Sequence, residues 1–167
     1  METDMLTAIL PPSPAWRPRS EGDRPIGEVW KSLSHLEATY PGFARWFWGI
    51  VEPGLRLGSR RVFVRRSGSG LEGIVIAKRD PAERKLCTVW TAPHARGLRV
   101  ATGLVAEAID WLEDPLPLLT VPEERMPEFR GLVAGFGFEA TEALPSYYRS
   151  GRTEYVFNGR LRRRLDC

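Results

Sequence analysis

The chain has 167 residues, of which 43% are hydrophobic and 27% charged, with a formal net charge of +3. That length suits one domain able to bury roughly two-thirds of its unfolded surface. With neither a secretory-type N-terminus nor an apolar run of about 18 residues, a soluble cytoplasmic protein with no membrane attachment is expected. Two cysteines exclude a disulfide framework; no His/Cys cluster stands at metal-ligand spacing, and no lysine-bearing phosphate loop is present, so neither a metal nor nucleotide hydrolysis is expected. Only three of the 24 basic residues are lysines. So arginine-rich a composition suits RNA or phosphate recognition, and equally a GC-rich coding sequence.

Residues 1–24 hold one apolar run, residues 6–10 (LTAIL), a candidate first strand, followed by Pro11, Pro12 and Pro14 and a polar, irregular stretch. Residues 25–159 carry the pattern of one folded domain. Residues 160–167 form a tail with Arg160, Arg162, Arg163 and Arg164, the first place to look for RNA contact. Within the domain, Ile26, Val29, Trp30, Leu33 and Leu36 make a helical stripe that Pro41-Gly42 breaks. Residues 43–51 (FARWFWGIV) continue as a second helix, expected to end at Pro53-Gly54. Phe43, Trp46, Phe47 and Trp48 cannot share one helical face, so Trp46 or Trp48 is expected to line a cleft or meet a partner.

Residues 60–66 (RRVFVRR) and 71–78 (LEGIVIAK) read as strands of a hairpin across Ser67-Gly68-Ser69-Gly70, and residues 85–92 (KLCTVWTA) as a third strand stopped by Pro93. Cys87 within it reads as a buried structural thiol. Ala101, Leu104, Val105, Ala108, Trp111 and Leu112 follow the 3.6-residue period of a helix with one buried stripe. Residues 117–121 (PLLTV) suit a buried strand. Pro127 would break an interior helical turn, so residues 123–126 are expected to form a short turn and the next helix to start near Pro127. That helix ends at Gly135-Phe136-Gly137-Phe138; residues 141–152 read as a loop and residues 153–158 (TEYVFN) as a closing strand. The fold class is α/β in the broad α+β sense.

The turn at residues 94–99 (HARGLR) is where these elements could hold a ligand. A helix start leaves backbone N–H groups without intrahelical partners, and Ser, Thr, Asp or Asn usually takes one of them. No such residue lies between Pro93 and Ala101. Open donors at the positive end of a helix, two arginines and a glycine suit phosphate oxygens. A plain turn with solvated arginines fits the same spacing.

Strand, Pro93-x-x-Arg96-Gly97, then Val100-Ala101 and a helix resembles the acetyl-CoA signature of the GNAT superfamily of N-acyltransferases, usually Arg/Gln-x-x-Gly-x-Gly/Ala. Arg96 and Ala101 match its ends, and Arg99 stands where the middle glycine usually sits. The element order over residues 60–158, with Gly-Phe after the last helix, is similar to the GNAT core. The resemblance implies a single domain with a mixed, mostly antiparallel sheet of about six to seven strands flanked by helices, and acetyl-CoA as co-substrate. Its phosphates would meet Arg96, Gly97, Leu98, Arg99, Val100, Ala101 and Thr102, and its pantetheine amides would pair along Val89, Trp90 and Thr91. The acetyl group would pass directly to a primary amine: a small amine, a protein lysine or N-terminus, or an aminoacyl-tRNA. GNAT proteins are often dimers, so a homodimer is in view.

Such transfer needs a neutral amine and a proton for the leaving thiolate. A lysine-like amine, with a pKa of about 10.4, costs about 4 kcal/mol to deprotonate at neutral pH unless a base assists. Glu123 is the first candidate base, with Glu124 and then Glu72 behind it, although acids in a first helical turn also serve the helix itself. The family's usual proton donor is a tyrosine four residues before the Gly-Phe, where this chain has Val133. Tyr148 and Tyr147, in the loop before the last strand, are the substitute donors. His94, beside the phosphate turn, is not expected to be catalytic. A non-catalytic module that binds CoA, RNA or protein on the same fold stays open beside the enzyme, and release of CoA thiol with an amine panel separates the two.

Overall fold

The computed structural model describes residues 25–161. The candidate strand at residues 6–10, the rest of the first 24 residues and the tail arginines 162–164 lie outside the described residues. Among the described residues six strands form one sheet: β1 (Arg60–Ser67), β2 (Gly70–Arg79), β3 (Arg84–Thr91), β4 (Leu118–Pro122), β5 (Ala140–Pro145) and β6 (Thr153–Phe157). Their order is β1-β2-β3-β4-β6-β5, and every pairing is antiparallel except β3 with β4. No helix among the described residues is long and apolar enough to cross a membrane.

Side-chain alternation assigns the two faces of the sheet to two cores. Val62, Ile74 and Ile76 pack under the N-terminal helices, α1 (Pro25–Leu33) and the helical stretch that follows residue 42, against Val29, Leu33, Phe47 and Val51. Phe63, Val75 and Ala77 face the opposite way, onto α4 (Val100–Leu112), which contributes Leu104, Val105, Ala108 and Leu112, all fully buried. β2 is thus covered on both faces, which is why it reads as a near-continuous apolar run. Gly73 lets α4 come this close: a Cβ there would stand 2.5 Å from Val100 Cγ1 and 2.9 Å from Leu104 Cδ1.

Two expectations are corrected. The second helix does not stop at Pro53. It runs as α2 (Phe43–Trp46), a π-helical turn (Phe47–Val51) and α3 (Glu52–Arg56). The π turn interrupts the usual bonding ladder just before the proline, whose missing N–H therefore ends nothing. Residues 141–152 are not all loop either, because Ala140–Pro145 form the edge strand β5 on β6. Its face alternates between half-buried and exposed residues without a large apolar side chain in the core, so the sequence carries no strong strand signal there. The short turn before the last helix appears as a 3-10 turn (Glu123–Arg125) leading into α5 (Met126–Gly135).

Candidate active site

The parallel ladder of β3 and β4 consists of two pairs, Lys85 with Leu118 and Leu86 with Leu119. Beyond them the strands diverge. Cys87 is the extra residue of a β-bulge against β2, where Ile76 pairs with Thr88 and Ala77 with Leu86; bulges of this kind bend a strand and re-aim its side chains. From Cys87 to Thr91, β3 has no ladder partner on its β4 side among the described residues, so its backbone amides and carbonyls there line an interior gap. Such an edge can add hydrogen bonds to an extended, amide-bearing chain. Val89 turns its side chain into the α4 core, while Trp90 lies on the opposite face with its ring 6.4 Å from His35.

At one mouth of the gap lies the turn that leads to α4. Pro93–Ala95 form a single 3-10 turn, Gly97 has φ 79° and Arg99 has φ 59°, both left-handed. Arg99 is the residue before the helix; its carbonyl accepts the first bond, from Gly103 N–H at 3.1 Å, and no side chain caps the N-terminus. The amides of Val100, Ala101 and Thr102 therefore remain available, with exposed Arg96 and Arg99 beside them. The residues present fit an anionic, phosphate-bearing ligand.

On the other side of the gap is a cavity of about 390 Å³, walled by β3, β4, β6, α5 and the loop between the first two helices. The carboxylate of Glu37 holds that loop by accepting N–H bonds from Gly42 at 3.0 Å and Ala44 at 2.5 Å, and those bonds keep its pKa below the ordinary range. Glu154 of β6 points into the cavity at 1% exposure, and its Oε1 has no hydrogen-bond partner among the described residues. Burial pushes its carboxyl up to about 7, with Arg149 and Lys85 opposing the rise and Glu124 adding to it. Burial also pushes the Tyr40 phenol up to about 12, with Glu154 adding to that rise. Lys85, 5% exposed, donates to Tyr148 Oη at 3.4 Å. Arg60, 6% exposed, donates from Nη1 to Cys87 Sγ at 3.3 Å and lies 5.8 Å from the Trp46 ring.

Of the sequence-predicted catalytic residues, Tyr148 lines this cavity, packed edge-on against Tyr147 at 4.7 Å and near Tyr40 at 6.4 Å. Tyr147 and Glu123 do not line it; Glu123 is exposed in the 3-10 turn. Glu124 is paired with Arg149. Glu72 lies 4.0 Å from His94, outside the cavity. Trp46 lines the cleft, whereas Trp48 is 43% exposed. Val133 is buried in the α4-side core. Cys87 is half-buried beside Arg60 rather than sealed in the core. Sequence reading missed Glu154, Tyr40, Arg60 and Lys85. The signal for Glu154 was its position two residues before Val156 in TEYVF: a charge on the inward face of a strand is rarely accidental.

No family model matches the sequence, and no curated protein matches it. Solved structures do. A GNAT-family protein from Desulfovibrio desulfuricans is similar at TM-score 0.63 and 17% identity, over 85% of this chain and 94% of that one. Arabidopsis thaliana NAA60 in complex with a bisubstrate analogue gives TM-score 0.60 and 16% identity, over 84% and 94%. An aminoglycoside 6'-N-acetyltransferase complexed with coenzyme A gives 0.58 and 14%, over 86% and 98%. With its forked β3–β4 pair and open α4 N-terminus, this chain has the fold of the GNAT acetyltransferases.

Proposed function

We propose that this chain is an acetyl-CoA-dependent N-acyltransferase that moves an acetyl group directly to a primary amine. The observation that carries the reading is the fork between β3 and β4, with an uncapped helix N-terminus at one mouth and, on the other side, a buried carboxylate oxygen that has no partner among the described residues. The GNAT structures solved with coenzyme A or acetyl-CoA support the same co-substrate. Bound acetyl-CoA would supply an activated thioester carbonyl. The Val100, Ala101 and Thr102 amides, with Arg96 and Arg99, hold its phosphate oxygens, and the free edge of β3 at Val89, Trp90 and Thr91 pairs with the amides of its arm.

The remaining steps belong to side chains of the cavity. Glu154 Oε1 accepts a proton from the incoming ammonium or from the amine as the new C–N bond forms. A carboxyl poised near 7 is ionised often enough to do so, yet basic enough to be effective. Tyr148 gives its phenolic proton to the sulfur as the C–S bond breaks, and Lys85 holds that phenol in place from 3.4 Å. Glu154 thus replaces Glu123 as the proposed base, since Glu123 faces solvent. Calorimetric titration with acetyl-CoA tests the cofactor side. Arg96→Ala with Arg99→Ala should weaken binding by well over tenfold, at least about 1.4 kcal/mol; unweakened binding would place the phosphates elsewhere.

A second reading is a CoA-binding module without turnover. It is favoured by Val133, a core residue at the position where the resemblance expects the proton-donating tyrosine. CoA binding with no thiol release across a wide amine panel would support it.

A further inference from the structure

Two cations of the cavity stand outside its ion pairs. Lys78 is held between Asp80 and Glu83, each at 3.0 Å, and Arg125 pairs with Glu128 at 2.8 Å. That leaves two buried cations, Arg60 and Lys85, facing a single buried carboxylate, Glu154. Neither cation forms an ion pair among the described residues; a thiol and a phenol are their side-chain hydrogen-bond partners. Hydrogen bonding to such weakly polar groups does not repay the burial of a full charge, which is normally met by an anion.

The arrangement of Arg60 is built rather than incidental. Its stem lies against Gly54, where a Cβ would come within 2.8 Å of Cδ, and its guanidinium lies 5.8 Å from the centroid of the Trp46 ring. Lys85, Cys87 and Arg60 line the same cavity, Lys85 directly from β3 and the Arg60 guanidinium through its contact with Cys87 two residues along that strand. Glu154 opposes them from β6, across the fork.

Building on the acyltransferase reading, we propose that the acceptor is a small molecule carrying both a primary amine and a carboxylate, an amino-acid-like zwitterion. Its carboxylate is taken by Arg60 and Lys85 and its amine is presented to Glu154. Arg60 offers the planar fork that matches a carboxylate in two-point fashion. A cavity of about 390 Å³ suits a ligand of that size. Polycationic acceptors would bring further positive charge against the two cations. They are selected against.

The test uses the full chain with acetyl-CoA and follows CoA thiol release. Acceptors come in matched sets: an amino acid, its carboxamide and its decarboxylated amine, compared at equal free-base concentration, with spermidine and short acidic peptides alongside. The expected result is a preference in kcat/KM of about tenfold or more for the acid over its carboxamide. Arg60→Met, which keeps the stem beside Gly54, and Lys85→Met should each shrink that ratio. Circular dichroism confirms that each variant is folded, and the parent's own ratio decides the matter should a variant fail to fold. A ratio near one in the parent, a preference for spermidine, release only with peptides, or a ratio unmoved by both substitutions would overturn the inference while leaving the acyltransferase standing. Absence of release with every amine would overturn both.

Discussion

Glu154 illustrates how a single residue trades stability for chemistry. Its folded-state pKa, about 7, lies above the ordinary glutamate value of 4.5, so the folded chain binds that proton more tightly than the unfolded chain. The stabilisation is complete below about pH 4.5 and is lost as pH rises through about 7. At pH 8 the ionised group should cost on the order of 3 kcal/mol. Glu154→Gln should therefore raise the melting temperature at pH 8 and change it little at pH 4.5, while lowering kcat/KM by about a hundredfold or more. The parent's kcat/KM should climb through a limb centred near pH 7 that is absent in the variant. A variant that melts identically at both pH values, or that keeps the limb, would remove Glu154 from the role of base.

Arg99 makes a second residue-scale case. A non-glycine residue at φ 59° carries a backbone penalty of about 1 kcal/mol. Arg99→Gly should relieve it, raising the stability measured by urea unfolding by about that amount. If the arginine side chain meets phosphate, acetyl-CoA binding weakens in the same variant. Stability and affinity moving in opposite directions is the expected signature.

Among the elements, α4 is the one on which the most depends. Its buried stripe was legible in the sequence because Leu104, Val105, Ala108 and Leu112 keep a strict helical period, and the absence of a capping residue could be counted directly. Its end at Leu112, ahead of Asp114-Pro115, was legible too, but what anchors that end was not: Arg79 and Arg84 reach from the sheet to the carbonyls of Trp111 and Leu112, both at 2.6 Å, and Arg79 also stacks on Trp111. These are cations at the negative end of a helix, brought there by pairing between distant segments. Part of the arginine bias that suggested RNA is thus spent inside the fold, as is the bidentate pair of Arg66 with Glu28. Gly73→Ala tests the seating of α4. A methyl group 2.5 Å from Val100 has to push the helix N-terminus away, with an expected loss of about 1–3 kcal/mol of stability and weaker acetyl-CoA binding in the same titration. Loss of stability with undiminished binding would mean that the helix start does not hold the ligand.

At the scale of the whole molecule, five of the six described strands could be read from local pattern, the edge strand β5 excepted. The chemistry could not. Glu154, Lys85, Arg60 and Tyr40 come from four separate segments and line one cavity because the sheet order sets β4 between β3 and β6 and the loop before α2 closes over it. Loop position made Glu123 attractive, but the 3-10 turn faces it outward, and periodicity says nothing of which inward charge shares a cavity with which. The order of strands was the missing information.

The sheet is joined at its middle by a ladder of only two residue pairs. A ligand that lays an amide-bearing arm along the open edge of β3 supplies rungs the polypeptide itself leaves out, and serves in effect as a seventh strand. The protein is then most firmly closed at the moment it is loaded to react. Saturation at a hundred times Kd would add about 2.7 kcal/mol to its stability, and hydrogen exchange at Val89 and Thr91 should slow accordingly. On the acyltransferase reading, folded protein would accumulate where the acetyl donor is plentiful and be lost where it is scarce, so that the donor would guard the chain that uses it.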